Sequence, residues 1–422
     1  MKRFMQRTYE QRAFPGQRSR LRALTLASVL IVSSLSLTTS QSWADAALVT
    51  EPPKAVTSAQ LLSYQQDAAL IRQTYESQLY TLPAFKMGHY GLRMYRQTQD
   101  PKYAAAIWAD LARVASRLNY FATEVSTPEQ IQAYTDKRLH RYDKKSDLRS
   151  DIRYEVTLKH PHYLYLGVDL LGSMARANEY GLKHRNDPTL REVIRRYDFR
   201  QYATDPAMIR AWAAQLANQV YWLRQLGEQD VVEDFIAAFR ETYPDANDDQ
   251  LTRQQLMNKV YGLTHIIFAA AEYYQKPVKE SDFQWIYDYY RANIETILAD
   301  TKEDVIAEVG INFLLAGLEH DPIVDRTRQA IQKSLNRKVG MIPGVDGNTD
   351  LENGEHRNVL AIMLLDWRGP KAVPTIQQQP DMFSGLPYGL VKKTAQAPSS
   401  LVVPGPDNVV IPKAKSQAGV SE

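Results

Sequence analysis

Val260–Tyr274 reads VYGLTHIIFAAAEYY, and Ala307–Leu318 reads AEVGINFLLAGL. Each is apolar around most of a helix circumference, the mark of a helix buried on all sides. Each also carries ionisable residues, His265 and Glu272 in the first and Glu308 in the second. Outward from this pair, the same type of segment recurs at Phe85–Arg96, His162–Tyr180, Met208–Leu226, Leu256–Tyr274, Asp304–Leu318 and Glu355–Trp367. Between them lie amphipathic, charge-rich segments: Pro101–Leu118, Pro188–Tyr197, Asp230–Tyr243, Asp282–Ala299 and Pro322–Leu335, with Ser58–Tyr80 ahead of the first. From the second buried segment onward, starts recur roughly every 45–51 residues, the period of a helix pair. Asp100-Pro101, Asp187-Pro188 and Asp321-Pro322 are helix-start chemistry, Asp capping and Pro in the first turn. Strand alternation is nearly absent.

The expected fold is therefore all-α. Six buried helices inside about six amphipathic ones predict an (α/α)6-type toroid over residues 53–390. The alternative is an open helical-repeat superhelix, whose concave helices are wet and polar; runs such as LAIMLLDW (Leu360–Trp367) are too apolar for that. Phe121–Lys159 breaks the period. It reads as a charged, solvated insertion, with a flap over one mouth of the ring as the functional alternative. Pro370, Pro374, Pro380 and Pro387 make residues 368–390 a Pro-rich closing segment. Residues 391–422, rich in Pro, Ser, Ala and Lys, read as a disordered tail.

The first 44 residues read as a secretory signal peptide. Seven Lys and Arg against one Glu lead into the uncharged Ala23–Leu37, followed by Ser42-Trp43-Ala44. That apolar stretch is short for a membrane span, which needs about 20 residues. Removing residues 1–44 takes away seven bases and one acid, so the formal charge moves from +3 to −3. A near-neutral remainder gives no electrostatic footprint for nucleic acid. The expected location is the periplasm or outside the cell, with no membrane span after cleavage. The chain of 422 residues has no Cys, which removes disulfides, thiolate metal sites and cysteine nucleophiles.

The candidate functional residues are the polar minority on the buried helices. Residues three or four apart share a helix face. Lys86, His89, Arg93 and Gln97 form one stripe; His162, Asp169 and Ser173 another; Gln215, Asn218, Trp222 and Gln225 a third. Tyr261, His265, Phe268 and Glu272 form the fourth, Asp304, Glu308 and Asn312 the fifth, and Glu355, His356 and Arg357 open the sixth helix. Burying an unpaired polar group costs a few kcal/mol, so six stripes are expected to face one central funnel. Asp169 and Glu308 are the expected acid/base pair, since glycoside hydrolysis uses two carboxylates. His89 and His265 are proton-transfer candidates. Arg93, Asn218, Trp222, Tyr261, Asn312, His356 and Arg357 are expected to bind ligand. A lyase variant pairs a histidine with Tyr261, with Arg93 facing a uronate carboxylate.

No cofactor is expected. The variant reading is a divalent metal held by Glu308 with two or three of His89, His265 and His356. The loop Asp346–Glu352 fails as a calcium loop, with Leu351 where Gly is needed and Arg357 where Glu is needed. No phosphate loop, HExxH or GxSxG motif occurs. The expected partner is a polar small molecule, a glycan or a peptide. The expected function is an enzyme, hydrolase or lyase, acting on a polar polymer, with a non-catalytic periplasmic binding protein as the alternative.

Four stretches, GHYGLRMYRQT (Gly88–Thr98), VYGLTHIIFAAAEYY, AEVGINFLLAGL and GEHRNVLAIMLLDW (Gly354–Trp367), resemble a family of secreted bacterial proteins known as a domain of unknown function. The resemblance covers most of residues 53–390 and implies no reaction. The layout is more loosely similar to α/α-toroid proteins, among them polysaccharide lyases, glycoside hydrolases and lanthionine cyclases. The cyclases' zinc site uses cysteines, which this chain lacks.

Overall fold

A computed structural model describes residues 56–140, 148–371, 375 and 378–393. The expected signal peptide and most of the expected tail lie outside these residues. The described chain belongs to one compact unit beginning at Pro53. It is all-α, with two three-residue strands.

In chain order the helices are α1 Ser58–Glu76, α2 Ala84–Thr98, α3 Ala104–Glu124, α4 Pro128–Leu139, α5 Leu148–Thr157, α6 Gly172–Glu179, α7 Asp187–Arg195 and α8 Arg200–Ala203. They continue as α9 Pro206–Leu226, α10 Val232–Thr242, α11 Arg253–Ala270, α12 Gln284–Asp300, α13 Glu303–Leu315, α14 Pro322–Ser334 and α15 Leu351–Leu365. A π-helix, Leu164–Leu171, runs directly into α6. The starts follow capping chemistry. Asp205 accepts from the Met208 N–H at 2.8 Å and Asp321 from the Ile323 N–H at 3.0 Å, each followed by proline.

The apolar helices are mutual neighbours. α2 packs on α15, α15 on α13, α13 on α11, α11 on α9, and α9 on the π-helix and α6. Arg96 of α2 reaches Glu179 of α6 at 2.9 Å. Glycine sets two of the closest approaches. A Cβ on Gly310 would lie 2.4 Å from Thr327 Oγ1 and 2.6 Å from Leu364 Cδ1, so only glycine seats α13 this deeply against α14 and α15. Gly262 does the same for α11, where a Cβ would meet the Phe239 ring at 2.6 Å. α15 also packs against α1, and Arg72 pairs with Asp366 at 3.0 Å.

Three expectations change. The 121–159 segment is not a solvated excursion where described: α3 runs on to Glu124, and Ile131 and Thr135 of α4 are fully buried. Two of its arginines turn inward, Arg138 onto Asp169 and Arg153 onto the Ala211 carbonyl and Gln215, while Asp136, Lys137, Asp151 and Glu155 stay exposed. The fourth apolar helix ends at Ala270 rather than Tyr274. The tail boundary at 390 falls inside a strand: β2 (Leu390–Lys392) pairs antiparallel with β1 (Leu182–His184). Lys393 N–H then donates to the Gly181 carbonyl at 2.9 Å. The closing segment lies back over α3, where Trp108 Nε1 donates to the Gly385 carbonyl at 2.8 Å.

Candidate functional site

The deep position of α13 puts Glu308, 1% exposed, against α11 and α15. Its Oε2 accepts from Thr264 Oγ1 at 2.7 Å. Its Oε1 lies 3.7 Å from His265 Nε2 and 3.5 Å from His356 Nε2. Those separations suit charge attraction but are too long for hydrogen bonds. Neither Nε2 atom has a hydrogen-bond partner. Burial favours the neutral acid at Glu308, but the two imidazoles outweigh it and hold the carboxyl down at about 2.

A second pair adjoins the first. His89 Nδ1 lies 2.6 Å from Oε1 of the fully buried Glu355, and Lys86 Nζ lies 3.5 Å from its Oε2. Burial, reinforced by Arg93, pushes His89 down to about 3. The imidazole is therefore neutral near pH 7, and its Nδ1–H donates to ionised Glu355. Burial opposes that ionisation, and His89 and Lys86 outweigh it. The His89 and His356 rings are 5.3 Å apart, so the two pairs form one cluster.

His265 is fixed from behind. Its Nδ1 faces Asn218 Oδ1 at 3.0 Å and Tyr273 Oη at 3.2 Å. With Nδ1 turned to Asn218, Nε2 is the ring nitrogen that faces Glu308. The Tyr261 ring stands edge-on at 4.5 Å. Burial and then Glu308 raise the Tyr261 phenol well above its ordinary value, so it stays protonated. Tyr273 arrives through an unusual turn: Glu272, Tyr273 and Tyr274 have φ of 50°, 55° and 73°. Three successive non-glycine residues in the left-handed region cost about 1–2 kcal/mol each. The turn is clamped by Arg96 donating to the Tyr273 carbonyl at 2.8 Å and by the Lys371 N–H to the Tyr274 carbonyl at 3.0 Å.

The structure thus brings together His89, Asn218, Tyr261, His265, Glu308 and His356. Other candidates stand elsewhere. Asp169, on the π-helix, is engaged by Arg117, by Arg138 Nε at 2.6 Å and by Tyr134 Oη at 2.8 Å, and shares none of these partners with Glu308. Asn312 is fully buried behind Glu308, taking Tyr290 Oη at 3.1 Å and giving Nδ2–H to the Thr264 carbonyl at 3.4 Å. Arg357 turns to the Asn353 carbonyl at 3.3 Å. Trp222 covers Gly172, with its ring 3.6 Å from where a Cβ would stand. Glu272 leaves its expected stripe and pairs with Lys276 at 2.7 Å. Glu355, Thr264 and Tyr273 carried no assigned role from sequence. Glu355 had a signal, an acid beside His356 opening an apolar helix; Tyr273 had none, since its placement depends on the left-handed turn.

Among the described residues, no group of three or more His, Asp or Glu is placed to hold a metal ion. No helix among them is long and apolar enough to cross a membrane. The side chains of His356 and Lys86 are 27% and 23% exposed and open the cluster to solvent. One turn before Lys86 and Glu355, a groove of about 440 Å³ lies between the starts of α2 and α15, lined in part by Leu82, Pro83, Asp350 and Glu352.

Fold and cluster together define an all-α helix-pair protein with a buried histidine–glutamate centre. Within that class, the chain belongs to the DUF3541 family, described as a domain of unknown function, whose model matches residues 64–393. No curated protein and no solved structure matches the chain.

Proposed function

We propose that this protein is an exported enzyme acting on a glycan or other polar polymer, moving protons at the Glu308 cluster within a toroid of helix pairs. Export rests on the basic, then apolar, then small-residue plan of the first 44 residues. The observation that carries the catalytic reading is the pair of imidazole Nε2 atoms, on His265 and His356, that face one buried carboxylate oxygen and have no hydrogen-bond partner. Buried polar atoms left unmade cost about 1–3 kcal/mol each, and a bound hydroxyl or water supplies the missing partner.

In this reading His265 Nε2 accepts a proton, Asn218 holds the tautomer, and protonated Tyr261 donates to the departing oxygen. Glu308 stabilises the imidazolium that forms. This elimination or lyase-type arrangement is favoured over two-carboxylate hydrolysis because Asp169 is taken up by two arginines away from Glu308. The alternative, a non-catalytic peptide- or protein-binding role in the periplasm, draws support from the depth of the cluster, whose carboxylates Glu308 and Glu355 are 1% and 0% exposed.

The test incubates the full chain with acidic and neutral polysaccharides, following new reducing ends and the ultraviolet absorbance of a product double bond. Turnover is expected, and Glu308→Gln and His356→Gln are expected to lower it about 10²–10⁴-fold. Binding without turnover in all three proteins would leave the non-catalytic alternative.

A further inference from the structure

Arg93 is 5% exposed and makes no ion pair among the described residues. Its polar contacts are a 3.4 Å donation to the His89 carbonyl and the Tyr274 ring, whose centroid lies 5.7 Å from the guanidinium carbon. Its Nε has no hydrogen-bond partner. The other deeply buried arginine of α2, Arg96, has Glu179. A buried guanidinium without an acid partner carries a desolvation cost of several kcal/mol, and among the described residues no carboxylate pairs with Arg93 to offset it.

A second arginine repeats the pattern. Arg149 of α5 lies over the Tyr261 ring at 5.7 Å, makes no ion pair among the described residues, and has a buried Nε without a partner. The two approach His265 from different sides, Arg149 through Tyr261 and Arg93 through Tyr274 and Tyr273. Near the cluster stand the acids Glu308, Glu355 and Asp304 and the bases Lys86, Arg93, Arg149 and Arg153. Glu355 is already matched by Lys86. The groove bearing Asp350 and Glu352 has the wrong sign for an anion, whereas on α5 Arg153 is held by the Ala211 carbonyl and Gln215 and Arg149 has no ion pair among the described residues.

We propose that this site takes an anionic ligand, the carboxylate-bearing sugar unit of an acidic glycan, with Arg93 as its clamp and Arg149 as a second contact. The proposal rests on the polymer-acting reading above and names its substrate class. A guanidinium fork matches a carboxylate through two parallel N–H bonds. The partly exposed rings of Tyr261 and Tyr273 offer a surface to the apolar side of a pyranose, which a flexible acidic peptide would use poorly, while the buried Tyr274 ring backs Arg93.

Calorimetric titration of the full-length protein with a galacturonate trimer tests this. Wild type is expected to bind, and Arg93→Gln to bind about 10–100-fold more weakly, equivalent to about 1.4–2.8 kcal/mol at 1.4 kcal/mol per tenfold. Arg149→Gln is expected to weaken binding about 3–10-fold, and Arg93→Lys to fall between wild type and Arg93→Gln. A neutral trimer of equal length is expected to bind weakly and equally to all. The melting temperature of Arg93→Gln is expected to match or exceed wild type, because no acid loses its partner; a fall of many degrees would mark Arg93 as structural and overturn the proposal. So would wild-type affinity in Arg93→Gln, no trimer binding by wild type, or tighter binding of oligoglutamate. Inorganic phosphate displacing the trimer more effectively than acetate would replace the carboxylate with a phosphate. Trimer binding without any product sinks the enzyme reading alone, while turnover of neutral polymers alone sinks this proposal and leaves the enzyme.

Discussion

Asp169 and Glu308 are two carboxylates on apolar helices, 3% and 1% exposed, and they live in opposite surroundings. Asp169 has Arg117, Arg138 and Tyr134 on its two oxygens. Every acceptor position has a strong donor, and the arrangement ties α3, α4 and the π-helix together. Glu308 has one hydroxyl at hydrogen-bond distance and two imidazoles standing off at 3.5 and 3.7 Å. Burial of a charge does not by itself mark a site. What distinguishes Glu308 is that its two imidazole neighbours are titratable and retain unmet capacity, whereas the two arginines on Asp169 are permanently charged and bonded to it.

The comparison breaks most directly on stability. Asp169→Ala leaves two arginines facing an apolar helix, and with both partly exposed the expected loss is about 2–4 kcal/mol. Glu308→Gln keeps the shape and the Thr264 contact and gives up only the attraction of the two imidazoles, so a smaller loss of about 1–2 kcal/mol is expected. Urea unfolding of both variants measures this; equal losses would erase the distinction.

Acid sharpens it next. His89 is held near 3 in the folded protein against 6.5 when unfolded, so the unfolded chain binds the extra proton between those values. Stability is therefore expected to fall as pH drops from about 6.5 to about 3, by up to about 1.4 kcal/mol per pH unit for this one proton. Glu308, depressed to about 2 from 4.5, adds a further loss as pH falls below about 4.5. His89→Gln is expected to flatten the upper part of the curve, and Asp169→Ala to leave the slope there intact. Denaturant unfolding across pH decides it.

The smallest effect concerns strain. Glu272, with φ of 50° and an exposed pair to Lys276, is expected to gain about 0.5–1 kcal/mol as Glu272→Gly, since glycine adopts that conformation without penalty. No comparable gain is available in the Asp169 region, whose π-helix contains no positive φ. Thermal unfolding of Glu272→Gly reads this out.

Much of the fold was legible because helix periodicity and Asp-Pro starts are local. The six apolar segments begin and end within a few residues of α2, the π-helix with α6, α9, α11, α13 and α15. His265, Glu308 and His356 were legible as polar exceptions in apolar runs. Partnership was not, because it is set by packing between distant segments. Nothing around Asp169 says that Arg117 and Arg138 will close on it from 52 and 31 residues away. Asn312 shares a stripe with Glu308 yet is consumed by Tyr290. The left-handed turn was hidden because Ala271–Tyr274 has the composition of a helix end, and its conformation is imposed by Arg96 and Lys371.

The pairing of Arg72 with Asp366 spans 294 positions of sequence. Contacts of such range close late, since a long loop must first surrender its freedom. α2 supplies His89 and α15 supplies Glu355 and His356, so the catalytic candidates meet only after nearly the whole chain has left the ribosome. A nascent fragment stopping short of Leu351 holds His89 without Glu355, and Glu308 with His265 but without His356. Assembly of the centre is thereby postponed until α15 has been made and has docked on α2 and α13.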